Sequence, residues 1–213
     1  MTFKIPAPGP DEAFATESVD QSEVAVWYHV YSTQDHPNTA STFSEGWGDT
    51  RFAPIYCPDR SPVHTYYAAS TFECAIMESV LHENPLSPPD VFYVDCLKHY
   101  HLARIELDYP LECVSFHTPY LPALDVTRTQ LIDSLPAYYA QTRAWAQAAF
   151  DQRPAAHAVA YGSRRHDAGR CVMLFGQRLP DPPFRVLSDE PLALDPLRHR
   201  VLQLVRRLKL PQI

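Results

Sequence analysis

A short aromatic strand in this chain is followed at once by a helix that is apolar on nearly all sides, and this pair limits the folds that the chain can adopt. Residues 65–68 read as the strand, and residues 70–81 have helical spacing. Ser70 and Glu73, three positions apart, match a capping box and predict the helix start. The apolar stripes of this helix are Phe72, Ala75, Ile76, Ser79 and Val80 on one side and Cys74, Met77 and Leu81 on the other. Because such a helix is usually buried on both faces, we expect it in the interior.

Glu78 lies beside the second apolar stripe of this helix. Burial raises the pKa of a carboxyl group unless a cation or a hydroxyl stabilises the charged form. Since an isolated buried carboxylate is costly, Glu78 is expected to have a partner or a chemical task. The alternative is a surface or salt-bridged glutamate at the helix edge, and the helix alone leaves both interpretations open.

An arginine and a tyrosine precede Glu78 at informative positions. Arg51 follows two glycines, Gly46 and Gly48, and Tyr67 lies in the aromatic strand eleven positions before Glu78. An arginine fork suits a pyrophosphate, an aromatic ring suits a nicotinamide, and a carboxylate stabilises a ribosyl cation. The combination predicts cleavage of the N-glycosidic bond of NAD, with the side chains of Arg51 and Glu78 converging within one ligand's length of Tyr67.

Five short motifs, in one order along the chain, carry a family resemblance. They are Trp27-Tyr28-His29-Val30-Tyr31, Gly48-Asp49-Thr50-Arg51-Phe52, Tyr67-Ala68-Ala69-Ser70, Ala75-Ile76-Met77-Glu78 and Gly162-Ser163-Arg164-Arg165. Together they resemble the RES-domain proteins, named for an arginine, a glutamate and a serine, over residues 24–187. The resemblance implies a fold similar to ADP-ribosyltransferase toxins and an enzyme that degrades NAD. It also implies either a phosphorylase or a toxin paired with an Xre-type antitoxin.

The resemblance assigns roles residue by residue. Arg51 matches the family's arginine, Tyr67 its strand tyrosine, Glu78 its glutamate and Ser163 its late serine. It implies that Glu78 stabilises the ribosyl cation, Arg51 binds the pyrophosphate and Tyr67 positions the nicotinamide, so these three are the predicted catalytic residues. Ser163 is expected to hydrogen-bond ribose, carboxamide or an incoming phosphate. NAD is the expected substrate, inorganic phosphate a candidate co-substrate, and no cofactor is expected.

The other predicted substrate-binding residues are Tyr28, His29 and Arg164, and at His29 the chain departs from its family. The family's first strand reads tyrosine–arginine–valine, and here a histidine replaces the arginine. Arginine is a permanent planar cation, whereas histidine is only partly charged near neutrality, so phosphate affinity is expected to fall unless Arg164 or Arg165 substitutes.

Two interpretations of His29 follow. If it contacts phosphate, His29→Arg is expected to raise activity or NAD affinity, and native activity is expected to rise as the pH falls toward about 6. In the alternative, His29 packs as a neutral ring against Tyr31 or Trp27, and an arginine in its place brings no gain.

Composition limits the class of protein. The chain has 213 residues and a net charge of −7, which gives it no basic footprint for direct nucleic-acid binding. It shows no apolar run of spanning length and no signal-peptide pattern, so we expect a cytoplasmic protein without a membrane partner. Five widely spaced cysteines without a CxxC motif are expected to be reduced thiols. A homo-oligomer remains open.

Metal and hydrolase sites are disfavoured. His99 and His101 alternate and share one face of a predicted strand, but zinc needs three or four ligands and no third is evident nearby. Ser163 could form a hydrolase triad with a histidine and an aspartate, but this interpretation is rejected because the chain lacks the G-x-S-x-G elbow. No metal site is therefore predicted.

The chain is predicted to be one mixed α/β domain, residues 23–213, preceded by an extended arm, residues 1–22. Predicted strands cover residues 24–31, 63–68, 91–95, 100–107, 157–161 and 171–175, and predicted helices cover 70–81, 127–135, 137–151 and 195–208. Two small sheets or one bent sheet are expected around an NAD cleft, with the helices outside. Residues 33–48 read as a long loop that is a candidate to close over the ligand.

Two rival functions stay open beside NAD cleavage by phosphorolysis or hydrolysis. One is an ADP-ribosyltransferase that modifies a macromolecule. The other is a degenerate, non-catalytic domain that binds NAD or a partner and is marked by His29.

Overall fold

The computed structural model describes residues 4–34, 36–86 and 88–213. Its strands are β1 (Thr16–Val19), β2 (Trp27–Ser32), β3 (Thr65–Ala69), β4 (Tyr100–Glu106), β5 (Leu111–Ser115), β6 (Ala158–Gly162), β7 (Arg170–Phe175) and β8 (Arg185–Pro191). Its α-helices are α1 (Phe72–Met77), α2 (Arg128–Leu131), α3 (Tyr139–Gln152) and α4 (Leu197–Arg207). Four 3-10 segments cover Val94–His99, Thr118–Leu124, Pro136–Tyr138 and Gly176–Arg178. The predicted mixed α/β class is confirmed.

The strands form one sheet of eight in the order β1-β5-β6-β7-β3-β2-β4-β8. Neighbours are antiparallel except β5 and β6, which run parallel. Most pairs share four or more residue positions, but β2 and β3 pair at a single position, Tyr28 with Ala69. These two central strands therefore diverge, and the sheet has a local opening beside the helix that follows β3.

Both faces of the sheet are covered. Since side chains alternate along a strand, each of the strands β3 and β7 contributes residues to both faces of the sheet. One face packs against α3 through a cluster that includes Tyr67, Trp145, Phe150, Met173 and Phe175. The other face carries a cluster that includes Trp27, Tyr31, Tyr66, Val172 and Phe184. Helix α4 and helix α1 meet in a third cluster, which includes Phe72, Ile76, Leu81, Leu197 and Val201.

Helix α1 is buried on both sides, as predicted, but it begins and ends inside the expected range. Its N-cap is Thr71, whose hydroxyl accepts from the Cys74 amide at 3.1 Å. The predicted Ser70–Glu73 capping box is therefore wrong: the Ser70 hydroxyl accepts instead from the Arg170 amide at 3.0 Å. The helix ends at Glu78, its C-cap.

Several other elements differ from the sequence prediction. Residues 91–95, predicted as a strand, lead into the 3-10 segment Val94–His99. Strands β5 and β8 lie where no strand was predicted. Helix α2 is shorter than residues 127–135, although Thr127 and Gln130 form a complete capping box at its start. The C-terminal helix was predicted at residues 195–208, and α4 lies within that range.

The N-terminal segment was predicted as an extended arm. Residues 1–3 of that arm lie outside the described residues. In the described part, Ile5 and Phe14 are buried in the core, and the Trp145 indole donates to the Pro6 carbonyl at 2.9 Å. Strand β1 then pairs with β5 over four positions. The end of the predicted arm is thus an edge strand of the sheet.

The long loop predicted at residues 33–48 is partly fixed to the sheet, and its residue 35 lies outside the described residues. Ala40 is buried, its carbonyl accepts from the Tyr66 hydroxyl at 2.8 Å, and Phe43 packs in the same cluster. This part of the loop covers the sheet face away from α3.

No helix within the described ranges is long and apolar enough to cross a membrane.

Candidate active site

A cavity of about 610 Å³ lies where β2 and β3 diverge, under the end of α1 and the start of α3. Its size is in the range that encloses a small-molecule ligand. The predicted site residues on its wall are Tyr28, His29, Arg51, Tyr67 and Glu78. Strand divergence thus creates the concavity, and the helix that follows β3 brings its terminal carboxylate to the rim.

Arg51 is nearly buried, with 5% of its side chain exposed. The segment before it turns at Gly46 and Gly48, which have φ values of +96° and +91°, a region that favours glycine. Its own carbonyl accepts from the Thr142 hydroxyl of α3, and this bond anchors the backbone. The guanidinium Nε and Nη2 are buried and find no hydrogen-bond partner within residues 4–34, 36–86 and 88–213. Arg51 thus presents two buried nitrogens without partners on the cavity wall, where an anionic group could accept from them.

Glu78 faces this cation across the cavity wall. Its Oε2 lies 3.8 Å from Arg51 Nη1, and its side chain is 13% exposed. Its other oxygen, Oε1, accepts from the Ser163 hydroxyl at 2.6 Å and from the Arg164 amide at 2.8 Å. These contacts compensate the burial of a negative charge and fix the carboxylate orientation. Glu78 is therefore a largely buried carboxylate at the end of the helix, with Arg51, Ser163 and the Arg164 amide as its partners.

Ser163 lies behind Glu78 rather than on the cavity wall. It is fully buried, and its Oγ also accepts from the amides of Arg165 at 3.0 Å and His166 at 2.9 Å. With these partners the hydroxyl is satisfied inside the protein. Its hydroxyl donates to Glu78, and the predicted direct contact of Ser163 with the substrate stays a prediction.

The serine loop can approach α1 closely because residue 169 is glycine. A Cβ at Gly169 would lie 2.3 Å from Cys74 Sγ, which no structure tolerates without a shift. The loop is closed by the Ser163 amide, which donates to the Gly169 carbonyl at 3.1 Å. The Arg165 guanidinium donates to the carbonyls of Leu81 and Asn84 and so ties the loop to the chain after α1.

Tyr67 and Tyr28 lie on the cavity side of the sheet. The Tyr67 hydroxyl is 2.8 Å from Thr50 Oγ1, and Thr50 in turn bonds both backbone groups of Ala53 at 3.1 Å. Burial raises the pKa of Tyr67 well above its usual range, so the phenol stays protonated. Its ring and hydroxyl are therefore fixed beside Arg51.

His29 belongs mainly to the opposite face of the sheet. It alternates with Tyr28, and its ring stacks on Tyr66 at 4.0 Å and on Tyr31 at 5.6 Å between centroids. Its Nδ1 lies 2.6 Å from the Tyr67 carbonyl and therefore carries the proton that it donates. Burial lowers the pKa of His29 to about 4, against the opposing effects of the Tyr67 carbonyl and Asp189. The lowered pKa disfavours a charged imidazole near pH 6, and a contact of His29 with phosphate stays a prediction.

We therefore expect no gain from a cation at this position. At about pH 6, two units above the folded pKa, roughly one imidazole in a hundred is charged. Lowering the pH from about 7.5 to about 6 is expected to give no rise in kcat/KM for NAD that depends on His29. The His29→Arg variant is expected to have a kcat/KM no higher than that of the native protein. A gain of about fivefold or more, worth roughly 1 kcal/mol, would restore the phosphate-binding interpretation.

Arg164 contributes its backbone to the site. Its amide donates to Glu78, while its half-buried guanidinium forms no hydrogen bond or ion pair with any other described residue. It does not line the cavity wall. A direct contact of the Arg164 side chain with substrate stays a prediction.

Several residues of the cavity wall were not predicted from the sequence. They are Asp49, Thr50, Ser79, His82, Glu83, Pro136, Tyr139, Tyr161 and Cys171. Asp49 and Thr50 adjoin Arg51, and His82 and Glu83 follow α1, so proximity to the motifs was the available signal. Tyr139 and Tyr161 come from α3 and β6, and no local pattern in the sequence connects them to Glu78.

Comparisons with known proteins agree with the sequence motifs and the fold. The RES-domain profile matches residues 26–195, which is most of the chain. The fold is similar to a chain in the crystal structure of the M. tuberculosis MbcT–MbcA toxin–antitoxin complex, with a TM-score of 0.56 and 15% identity, covering 89% of this chain and 90% of that one. No curated protein gives a significant match. The chain belongs to the RES-domain family.

Proposed function

We propose that this protein cleaves the bond between nicotinamide and ribose in NAD and transfers the ADP-ribosyl group to phosphate or water. The observation that carries the proposal is the convergence of Arg51 and Glu78, at 3.8 Å, on the wall of a ligand-sized cavity. NAD has an anionic diphosphate, which a buried cation can bind, and its ribosyl carbon becomes cationic during cleavage, which a fixed carboxylate can stabilise.

The chemistry follows from charge. When the C1′–N bond breaks, its electron pair neutralises the nicotinamide nitrogen, and the ribosyl carbon becomes cationic. Glu78, oriented by Ser163 and the Arg164 amide, stabilises that cation electrostatically. An oxygen of phosphate or water then bonds to C1′, and water gives up one proton in doing so.

Arg51 and Tyr67 orient the substrate in this proposal. The free nitrogens of Arg51 bind diphosphate oxygens through charge-assisted hydrogen bonds. The Tyr67 ring, fixed through Thr50, packs on the nicotinamide or its ribose. Orientation of this kind lowers the barrier because the reacting carbon is already next to the carboxylate.

Ser163→Ala tests the positioning role. The variant leaves the amides of Arg165 and His166 without their acceptor and Glu78 without one donor. We expect kcat to fall about tenfold with little change in KM, and the free energy of unfolding to fall by about 1–3 kcal/mol. Steady-state kinetics and denaturant unfolding measure both effects.

Ser134→Ala is the matched control for this variant. Ser134 is also buried, but its hydroxyl has no hydrogen-bond partner in the described part of the chain. Its removal is expected to leave both kcat and stability unchanged or slightly improved. A Ser163→Ala variant with native kcat would contradict the positioning role.

We propose further that the protein is the toxin of a toxin–antitoxin pair, with an Xre-type antitoxin as its partner. The similarity of fold to a chain of the MbcT–MbcA toxin–antitoxin complex supports this proposal. Growth arrest on expression of the chain, relieved by the product of a neighbouring reading frame, is the expected behaviour.

A product profile distinguishes the proposal from its rivals. NAD is incubated with the chain, free of any antitoxin, and the products are identified by mass spectrometry. We expect nicotinamide together with ADP-ribose that carries a phosphate on the reacting C1′ when phosphate is the acceptor, or ADP-ribose when water is the acceptor. A macromolecular transferase would instead leave tagged ADP-ribose on protein or nucleic acid. Binding of NAD without any product would support the degenerate, non-catalytic domain.

A further inference from the structure

Tyr139 is a second unsatisfied donor on the cavity wall. It is the first residue of α3 and is 4% exposed, yet its hydroxyl has no hydrogen-bond partner among the residues that the structure describes. A buried hydroxyl without a partner is destabilising, because it has lost its hydrogen bonds to water. Because Tyr139 lines the cavity, its free hydroxyl is available to a bound ligand.

The surroundings of Tyr139 indicate the charge of that ligand. Its ring lies near Arg51, with the guanidinium carbon 5.8 Å from the ring centroid. Burial raises the pKa of Tyr139, and the carboxylates of Glu83 and Glu78 raise it further, while the charges of Arg51 and Arg164 lower it. The phenol therefore stays protonated at neutral pH, and its O–H can donate to an acceptor on the ligand. Together, Tyr139 Oη and Arg51 Nε and Nη2 present three buried donors without partners.

We propose that the Tyr139 hydroxyl and the free nitrogens of Arg51 form one binding subsite for a phosphate-type oxyanion beside Glu78. The subsite deepens the proposed function and rests on it for its biological ligand, since both the diphosphate of NAD and an inorganic phosphate acceptor carry such oxygens. Repulsion by Glu78 directs the oxyanion to the Arg51 and Tyr139 side of the cavity. Tyr139 is thereby a ligand-binding residue that the family motifs do not include.

Tyr139→Phe removes only the hydroxyl and keeps the ring. Isothermal titration calorimetry of the full chain with ADP and, separately, with inorganic phosphate is expected to show at least one probe binding about tenfold more weakly to the variant. Dependence with phosphate alone identifies the acceptor, and dependence with ADP alone identifies the diphosphate of the dinucleotide. Without ligand, the variant is expected to have an unchanged or higher Tm, because no satisfied bond is lost.

Tyr56→Phe is the control, since Tyr56 is 47% exposed and lies outside the cavity wall. Its affinities are expected to match those of the native chain. Native affinity of Tyr139→Phe for both probes, or no binding of either probe to the native chain, would overturn the subsite. If Tyr139→Phe weakens binding of a probe but the native chain does not cleave NAD, only the proposed function is overturned. If the native chain cleaves NAD but Tyr139→Phe binds both probes as the native chain does, only the subsite is overturned.

Discussion

Glu78→Gln is expected to lower NAD turnover at least a hundredfold while the fold remains stable. The amide keeps the size of the carboxylate and can still accept from Ser163 and the Arg164 amide through its oxygen. It lacks the negative charge that stabilises a ribosyl cation, and loss of one key electrostatic stabiliser typically costs roughly 10²–10³ in rate. Initial rates of nicotinamide release and thermal unfolding measure the two quantities.

Glu73→Gln provides the matched control. Glu73 lies on the same helix but pairs with Arg200 at 3.9 Å on its outer side. The same change of charge there is expected to leave turnover within about twofold. If Glu78→Gln retained turnover within about threefold of native, a barrier change well below the roughly 1.4 kcal/mol of a tenfold effect, the catalytic role of Glu78 would be refuted.

Arg51→Ala is expected to have the second largest effect, and to act on stability as well as activity. The change removes the cation that faces Glu78 at 3.8 Å and leaves a nearly buried carboxylate without its counter-charge. Breaking a buried pair from one side costs about 3–5 kcal/mol, and the loose geometry of this pair places the expected loss near the lower limit. We expect kcat/KM for NAD to fall at least a hundredfold.

Arg51→Lys separates charge from geometry. Lysine keeps the positive charge but has no planar fork, so stability is expected to recover more than activity does. Arg185→Ala is the control, because Arg185 forms an exposed ion pair with Glu106 and such pairs contribute about 0–1 kcal/mol. Native activity of both Arg51 variants would show that the substrate's phosphates bind elsewhere.

The sequence predicted the parts of the site that come from contiguous motifs. Helical spacing identified α1 as a helix buried on both sides, and the strand before it placed Tyr67 and Glu78 on neighbouring elements. The helix start was less predictable, because Ser70 and Thr71 are both good caps. Ser70 is instead used by the Arg170 amide, a residue one hundred positions away, and no local pattern contains that contact.

The features that were missed depend on tertiary contacts. Strands β1, β5 and β8 are stabilised by pairing with distant segments. Strands β1 and β5 have only four and five residues, and β8 is exposed at most of its seven positions, so their own residues give a weak periodic signal. His29 was predicted to bind phosphate because of its position in a motif. The direction of its ring, away from α1, became visible only when the pairing of β2 and the stacking on Tyr66 were known. Ser163 was identified, but its role behind Glu78 required the geometry.

In the proposed complex, the anomeric carbon of NAD lies against Glu78 while its phosphates contact Arg51. A crystal structure of the Glu78→Gln variant with NAD would show this arrangement, because the substituted enzyme is expected to retain the uncleaved substrate. We predict the nicotinamide ribose C1′ beside residue 78, the nicotinamide ring near Tyr67 and diphosphate oxygens within hydrogen-bond distance of the free Arg51 nitrogens. NAD bound outside this cavity, or bound with its adenine next to residue 78, would contradict the account.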